Sequence, residues 1–559
     1  MKPWFERDPD RYKAEREFWL GNGFTESRDG DNLVFRGVVE LTVSKAPGEP
    51  YEKDEFDLTV TYLEGFPYVA PEVAFIEPPI RRHRHQSPRG KPCLFPDEAW
   101  HSDKKPSEFL KALRSWLQAY IVGEFPNELG IYELPEYMEL SGLTVLGPAG
   151  MDDAVDGHET GKFRITELVG VDLAVVTHLQ GVDVGSQILA GLKVSRAIKQ
   201  QERVGTWYRL ASEPDPPRLV TEVIDTLAAS GHENVVLPPQ ERPRLIALRF
   251  EDEVLHQPRW LFLDTGVENR KRPPLPAKRK VLGANFHPLS RDELFRRLQG
   301  VTDTGTLAER EVAVFGLGAI GSHATMALAR EGVGEFTLCD PDTLRPGNVV
   351  RHALDLSDVG QFKAPAMEAA AHRINPFVET SSQVEHLRNP AALDDLMSTA
   401  HLVISAIGDD TVEEQLNEVV GESLSKPAVL YARTLHAGDA IRIALFRPGR
   451  DACFTCLMLH REDAHPDWVT VPASDLPPVH DDGCAAPAPV GAGLASEHAG
   501  LLVAQRAVDV LTTGGGDENH WLWLERPVAG IQARRMPEPG VLRADRFDPH
   551  PDCPVCGNG

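Results

Sequence analysis

The period of the apolar positions changes several times along the chain, and each change marks a new element. Residues 7–20, RDPDRYKAEREFWL, have the spacing of an amphipathic helix with Asp8 or Asp10 near its start. The runs 33–43, 56–63 and 71–77 alternate imperfectly and are rich in Val, Leu, Phe and Tyr, which predicts three strands of a half-buried antiparallel sheet. Residues 107–122 set Phe109, Leu110, Leu113, Trp116, Leu117, Tyr120 and Ile121 on one wide face, the pattern of a helix against a core. Residues 1–140 therefore read as one α+β domain. Between 141 and 285 the strands 164–179, 244–252 and 258–266 and the helices 183–200 and 217–230 predict an α/β middle module, with no motif that carries chemistry. From 286 to 559 the signal sharpens. A short helix (290–300) leads into strand, turn and helix (311–332), then a strand (335–342) and two buried strands (401–410 and 427–435), the signature of a doubly wound α/β domain.

Length and composition agree with several domains. A chain of 559 residues exceeds what one core organises, and three or four domains are expected. Hydrophobic residues make up 42% and charged residues 25%, so the class is globular. The net charge of -26 argues against nucleic acid as a partner. The one locally basic run, NRKRPPLPAKRK at 269–280, reads as a proline-rich linker. No apolar run reaches membrane-spanning length and the first residues do not read as a signal peptide, so the expectation is a cytoplasmic protein.

Candidate chemistry begins at the glycine loop. Gly316, Gly318 and Gly321 follow the apolar strand 312–315 and open a helix. The first allows a tight turn, the second lets a phosphate approach the backbone, and the third lets helix and strand pack closely; the helix start offers free amides to an anion. Asp340 closes the next strand, where an acid usually holds a ribose hydroxyl, so a dinucleotide is open on that residue alone. Behind it come Asp342, Asn348, Arg351 and Lys363. A redox cofactor has no need of the two cations and the polar amide among these, whereas a triphosphate under cleavage does, because charge develops on the leaving pyrophosphate.

This run, GLGAIGSHATMALAREGVGEFTLCDPDTLRPGNVVRHALDLSDVGQFKA, resembles the adenylation core of the ubiquitin-activating (E1) and ThiF/MoeB family. That family activates the C-terminal glycine of a small protein with ATP and Mg2+. The resemblance implies that Gly316, Gly318 and Gly321 wrap the phosphates and Asp340 binds ribose. Asn348, Arg351 and Lys363 would position ATP. The family's D-x-T-D-N run, which binds magnesium, appears here as SAIGDD, leaving Asp409 or Asp410 for the metal. An arginine lent by a second subunit is expected from Arg291, Arg296 or Arg297, which implies a homodimer.

The seven cysteines refine this picture. Cys453, Cys456, Cys553 and Cys556 form two CxxC pairs, which suit structural Zn2+; a redox role needs a helix after each pair, and the second pair ends the chain. Relatives of the MoeB type carry the same two pairs. Cys484 lies between them in a Pro-, Asp- and Gly-rich stretch, where thioester-forming relatives place the acceptor of the activated carboxyl. Cys339, inside an apolar strand, is a buried filler.

A thioester needs a carrier downstream, and Cys93 sits in the loop-like RGKPCLFPDEAWHSD. Phe66-Pro67-Tyr68, Pro71, Gly90-Lys91-Pro92-Cys93 and Trp100 resemble the ubiquitin-conjugating (E2) family. That family's H-P-N triad is absent, since RHRHQSPRG offers His83 and His85 but no asparagine; His85 is the nearest candidate to steady the oxyanion, and Asp97 a candidate to deprotonate an amine. The expected fold is thus an E2-like α+β domain, an α/β middle module and a doubly wound ThiF/E1-type adenylation domain with a zinc site. An E2-like domain ahead of an E1-like one resembles the fused conjugating enzymes of bacterial CBASS antiphage operons. The resemblance implies a partner protein with a C-terminal glycine, a cGAS/DncV-like cyclase or a ubiquitin-like protein, joined to an amine on a protein or small molecule. A sulfur-carrier activator, a non-catalytic nucleotide-binding scaffold and an NAD-dependent enzyme are the rival readings.

Overall fold

The computed structural model describes residues 3–44, 52–78, 86–87, 90–95, 99–122, 138–192, 199–233, 245–252, 256–265, 279–477, 479 and 491–556. They fall into two compact units, Met1–Gly185 with Lys199–Pro288, and Ser186–Ile198 with Leu289–Gly559. His85, Asp97 and Cys484 lie outside the described residues, as do residues 269–278 of the basic linker.

The first unit opens with a helix, Pro9–Gly21, whose Asp8 carboxylate accepts from the Arg11 N–H; of the two acids expected near its start, Asp8 is the cap. A four-stranded antiparallel meander follows: Thr25–Asp29, Asn32–Val43, Glu52–Tyr62 and Glu72–Glu77. The last three are the predicted strands. The first, TESRD, is an edge strand with almost no buried residue, so apolar periodicity cannot reveal it. The helix Pro106–Val122 packs Phe109, Leu113 and Leu117 into the same core as Trp4, Trp19, Phe35 and Tyr62. One buried polar chain crosses this core. The Trp19 indole donates to the Tyr62 hydroxyl at 2.7 Å, and that hydroxyl donates to Glu15 at 2.6 Å. Arg11 closes the chain on Glu15 at 2.8 Å and also donates to the carbonyls of Ser102 and Lys104, tying the first helix to the segment that follows the cysteine loop.

The middle region is a barrel and not a layered α/β module. Its eight-stranded sheet closes on itself because Leu140–Pro148 pairs with both Leu282–Leu289 and Leu173–Leu179. Val145, Phe163, Ile165, Trp207, Trp260 and Phe262 fill one core cluster. The helix expected at 217–230 is present as Val220–Ala229, with Val223 and Leu227 buried. The helix expected at 183–200 is described only over Ser186–Gly191. Closure decides this architecture, and closure depends on which distant strands pair.

The second unit holds an eight-stranded sheet in the order Glu379–Gln383, Glu335–Cys339, Glu311–Phe315, Leu402–Ser405, Ala428–Leu435, Ala440–Phe446, His520–Leu524, Arg543–Asp545. The first five strands are parallel and the last three antiparallel. The chain leaves Glu311–Phe315 in one direction across the sheet and later returns to its other side with Leu402–Ser405, so the crevice between these two strands is a topological switch point. Helices Gly321–Glu331, Lys363–Ile374 and Gly493–Thr513 contribute Ala324, Leu328, Met367, Ala371, Val503 and Ala507 to one core cluster, and Asp410–Glu422 and Phe454–Glu462 contribute Leu416, Val420, Phe454 and Leu457 to the other. The doubly wound expectation therefore matches the observed sheet.

Candidate functional site

The glycine loop sits at the switch point, and the three glycines do three different things. Gly316 has φ +85°, and a Cβ there would stand 2.8 Å from the Ala406 carbonyl oxygen, so this turn packs directly on the backbone that leads into Gly408-Asp409-Asp410. A Cβ on Gly321 would lie 2.0 Å from the Gly316 carbonyl oxygen. A Cβ on Gly318 would meet nothing within 4 Å among the described residues. Gly316 and Gly321 are needed by the protein itself, while Gly318 keeps space open above the loop.

Asp340 is buried, 4% exposed, and its oxygens are engaged: one accepts from the Leu317 N–H at 2.7 Å, the other from the Asp342 N–H at 2.8 Å. Burial pushes its carboxyl upward and the Lys363 ammonium, 3.6 Å away, opposes the shift. Lys363 opens the helix Lys363–Ile374 and also pairs with exposed Asp342 at 2.8 Å. Asn348 lies in the 3-10 turn Pro346–Arg351, where its amide oxygen accepts from the Arg345 N–H. Arg351 ends that turn and is half-buried.

Asp409 and Asp410 separate clearly. Asp409 caps the helix Asp410–Glu422, accepting from the Thr411 N–H at 3.0 Å. Asp410 pairs with Arg433 at 2.7 Å. The same guanidinium also holds Glu413, which is fully buried and accepts from the Ser405 hydroxyl at 3.1 Å; burial pushes Glu413 upward against the pull of Arg433. Sequence reasoning missed Arg433, Glu413 and Ser405. The only signal was the polarity of Ser405 and Arg433 inside largely apolar strands; Glu413, among other polar residues, gave none. It also missed His352, which is buried and bonded to the glycine loop. Of the arginines considered for donation to a second subunit, Arg291 is bound to the Gly332 carbonyl of its own chain, while Arg296 and Arg297 are exposed.

The four CxxC cysteines converge. Their sulfurs all lie within 4.8 Å of one another, with Cys453 at 3.5 Å from Cys553 and 3.6 Å from Cys456. A tetrahedron of thiolates about 2.3 Å from zinc has edges of about 3.8 Å, so the set fits the ion. The surroundings suit thiolates as well. The Asn417 amide donates to Cys453 at 3.4 Å and the His550 N–H to Cys456 at 3.2 Å. The hydrogen bond between the two thiols pulls Cys453 down to about 5, while Cys456 itself is pushed up. Cys339, by contrast, is buried and burial raises it to about 11, as a filler thiol should be.

In the first unit Cys93 is exposed, with its sulfur 3.9 Å from the Phe95 carbonyl. The turn before it is closed by Gly90 N–H to Ser87 carbonyl at 2.8 Å and Ser87 N–H to Lys91 carbonyl at 2.7 Å, with Gly90 at φ +80°. After it, Trp100 donates to the Pro67 carbonyl at 2.9 Å and packs edge-on against Phe95. The loop is thus anchored on both sides and leaves its thiol in solvent.

Comparison with known proteins agrees with this geometry. Residues 289–520 match the ThiF family. The chain is 24% identical to the protein y4oA of Sinorhizobium fredii over 550 residues, 89% of each chain. It is 29% identical to the ATP-dependent ubiquitin transferase-like protein Cap2 of Vibrio cholerae over 191 residues, 32% of each chain. It is 31% identical to the molybdopterin-synthase adenylyltransferase of Escherichia coli over 152 residues, 27% of this chain and 59% of that one. Matches to these last two therefore span well under two thirds of either relative. Loop, acidic residues and cysteine cluster all fall in, or just beyond, the segment that matches the ThiF family, and the chain that carries them is an ATP-dependent adenylating enzyme.

Proposed function

We propose that the chain activates the C-terminal carboxylate of a protein partner and joins it to an amine through two successive thioesters. One observation carries this reading. The glycine loop, Asp340 and the Asp409-Asp410 segment, at the switch point of the sheet and within the segment that matches the ThiF family, occur in the same chain as a loop that presents Cys93 to solvent. In this reading Gly316, Gly318, Gly321, Asp340, Asp342, Asn348, Arg351 and Lys363 form the ATP site. Asp409 is the assigned Mg2+ ligand, because the Asp410 carboxylate is already paired with Arg433. Bound Mg2+ offsets phosphate charge. Zn2+ on the four cysteines staples the end of the chain to the sheet.

A terminal carboxylate oxygen attacks the α-phosphorus of ATP, pyrophosphate leaves, and an acyl adenylate forms. The Cys484 thiolate attacks the acyl carbon and AMP leaves. The Cys93 thiolate then takes the acyl group and frees Cys484, and an amine takes it in turn, giving an amide and a free Cys93. The assignment of Cys484 rests on its place in the sequence, between the two CxxC pairs and ahead of the helix Gly493–Thr513. The E2-like reading of the first unit rests on the meander, the exposed Cys93 and the contacts of half-buried Trp100. The partner in this reading is a cGAS/DncV-like cyclase with a C-terminal glycine, activated in antiphage defence by a cytoplasmic homodimer that exchanges Arg296 or Arg297; likeness to Cap2 is what supports it.

ATP–pyrophosphate exchange that requires the partner's C-terminal tail, and is lost in Asp409→Ala, tests the first step. Accumulation of a hydroxylamine-cleavable acyl adduct at Cys93 tests the second thioester. The likeness to molybdopterin-synthase adenylyltransferase favours a second reading, activation of a sulfur carrier, under which Cys93→Ala leaves the full yield of product.

A further inference from the structure

His352 follows Arg351 in the sequence and has no part in the proposal above, yet it is 7% exposed and both its ring nitrogens are bonded. Nδ1 faces the Leu354 N–H at 3.0 Å. A backbone N–H only donates, so Nδ1 accepts and the ring proton resides on Nε2. Nε2–H therefore donates to the Leu317 carbonyl at 2.7 Å. The other side of the same residue is held by Asp340, which accepts from the Leu317 N–H at 2.7 Å. The segment carrying His352 is itself tied to the helix after the glycine loop, since the Ala353 N–H donates to the Ser322 hydroxyl at 3.2 Å.

Leu317 is the residue between Gly316 and Gly318. A trans peptide is planar, with its C=O and the following N–H pointing opposite ways. Fixing the Leu317 carbonyl toward His352 therefore aims the Gly318 N–H away from the buried imidazole, on the glycine that faces open space. We propose that His352 is a positioning residue for nucleotide binding: with Asp340 it clamps Leu317 at both its backbone groups and so presents the Gly318 amide to a phosphate oxygen. This inference rests on the adenylation reading. Without the clamp the two glycines leave the peptide free to rotate, and the amide must be ordered at the moment of binding.

Glutamine can reproduce both bonds, accepting through its amide oxygen and donating through its nitrogen, while phenylalanine fills the volume and makes neither. Equilibrium binding of ATP with Mg2+ to the full chain should weaken by about tenfold or more in His352→Phe and stay within about threefold of wild type in His352→Gln. Bound zinc and the thermal melt without ATP report whether each variant is folded. NMR of the wild-type protein labelled at histidine provides a readout that needs no variant: His352 should be neutral with its proton on Nε2. Equal ATP affinity in wild type and His352→Phe overturns the clamp. So does a His352→Gln protein as weak as His352→Phe, or a proton found on Nδ1. Absence of ATP binding by wild type would instead sink the adenylation reading beneath it.

Discussion

Lys363 stands 2.8 Å from Asp342 and 3.6 Å from Asp340, and the longer contact is the more consequential one. Asp342 is exposed, so solvent screens its pairing with Lys363 and reduces it to about 0–1 kcal/mol. Asp340 is buried and already pushed upward by burial, so removing its cation costs about 3 kcal/mol. Lys363→Met should therefore lower unfolding stability by roughly that amount and Asp342→Ala by little; equal losses in urea titrations would show that the buried carboxylate does not depend on Lys363. His352 makes a matching prediction about pH. Burial holds it down to about 4, aided by Lys363 and His323 and opposed by the bond to Leu317, while an unfolded histidine titrates near 6.5. Between those values the unfolded chain binds the extra proton. The stability associated with neutral His352 is thus complete above about pH 6.5 and is lost as pH falls toward 4, by about 3 kcal/mol. His352→Gln should flatten the decline between these limits. Parallel curves for variant and wild type would place the acid sensitivity elsewhere, for instance at fully buried His520, which burial also pushes down.

At the scale of elements, the glycine loop separates needs of the fold from needs of the ligand. Gly321→Ala forces a Cβ against the Gly316 carbonyl, and backbone cannot yield cheaply there; a loss of about 2 kcal/mol or more is expected without any nucleotide present. Among the described residues Gly318→Ala meets no atom within 4 Å, so its melting temperature without ATP should match wild type while ATP affinity falls. A Gly318→Ala protein with normal ATP affinity would remove the phosphate from that position. The three-glycine spacing was legible in the sequence, because a tight turn between strand and helix is written in adjacent residues. The partition among the three was not, since it depends on whether Ala406, Gly316 or open space faces each Cβ. The choice between Asp409 and Asp410 has the same character: both are adjacent in SAIGDD, and only the placement of Arg433, on the neighbouring strand, engages one of them.

For the whole molecule, the cysteines form a chemical map. Cys93 is exposed, Cys339 is buried in a strand, and four others share one cluster. In a native Cys484→Ala protein, Cys93 should react rapidly with an aromatic disulfide reagent, and the cluster only after strong chelation or unfolding. Chelation should abolish pyrophosphate exchange and leave the Cys93 reaction rate unchanged, because the cluster belongs to the second unit and Cys93 to the first. A second fast thiol before chelation would mean that the cluster does not hold metal.

Short-range features were determined by the sequence alone: the amphipathic helices, the alternating strands, the glycine loop, the two CxxC turns and the loop setting of Cys93. Each is encoded in residues that are neighbours along the chain. The edge strand TESRD had no such code, since its place comes from backbone pairing and not from an apolar face, and the strand Gln200–Arg209 carries its core residue, Trp207, only in its second half. Tertiary structure alone decided the closure of the barrel, the approach of Cys453 to Cys553 across 100 residues, and the grip of Asp340 and His352 on Leu317. Those outcomes depend on strand register and on packing between distant segments, which a local pattern restricts but does not select.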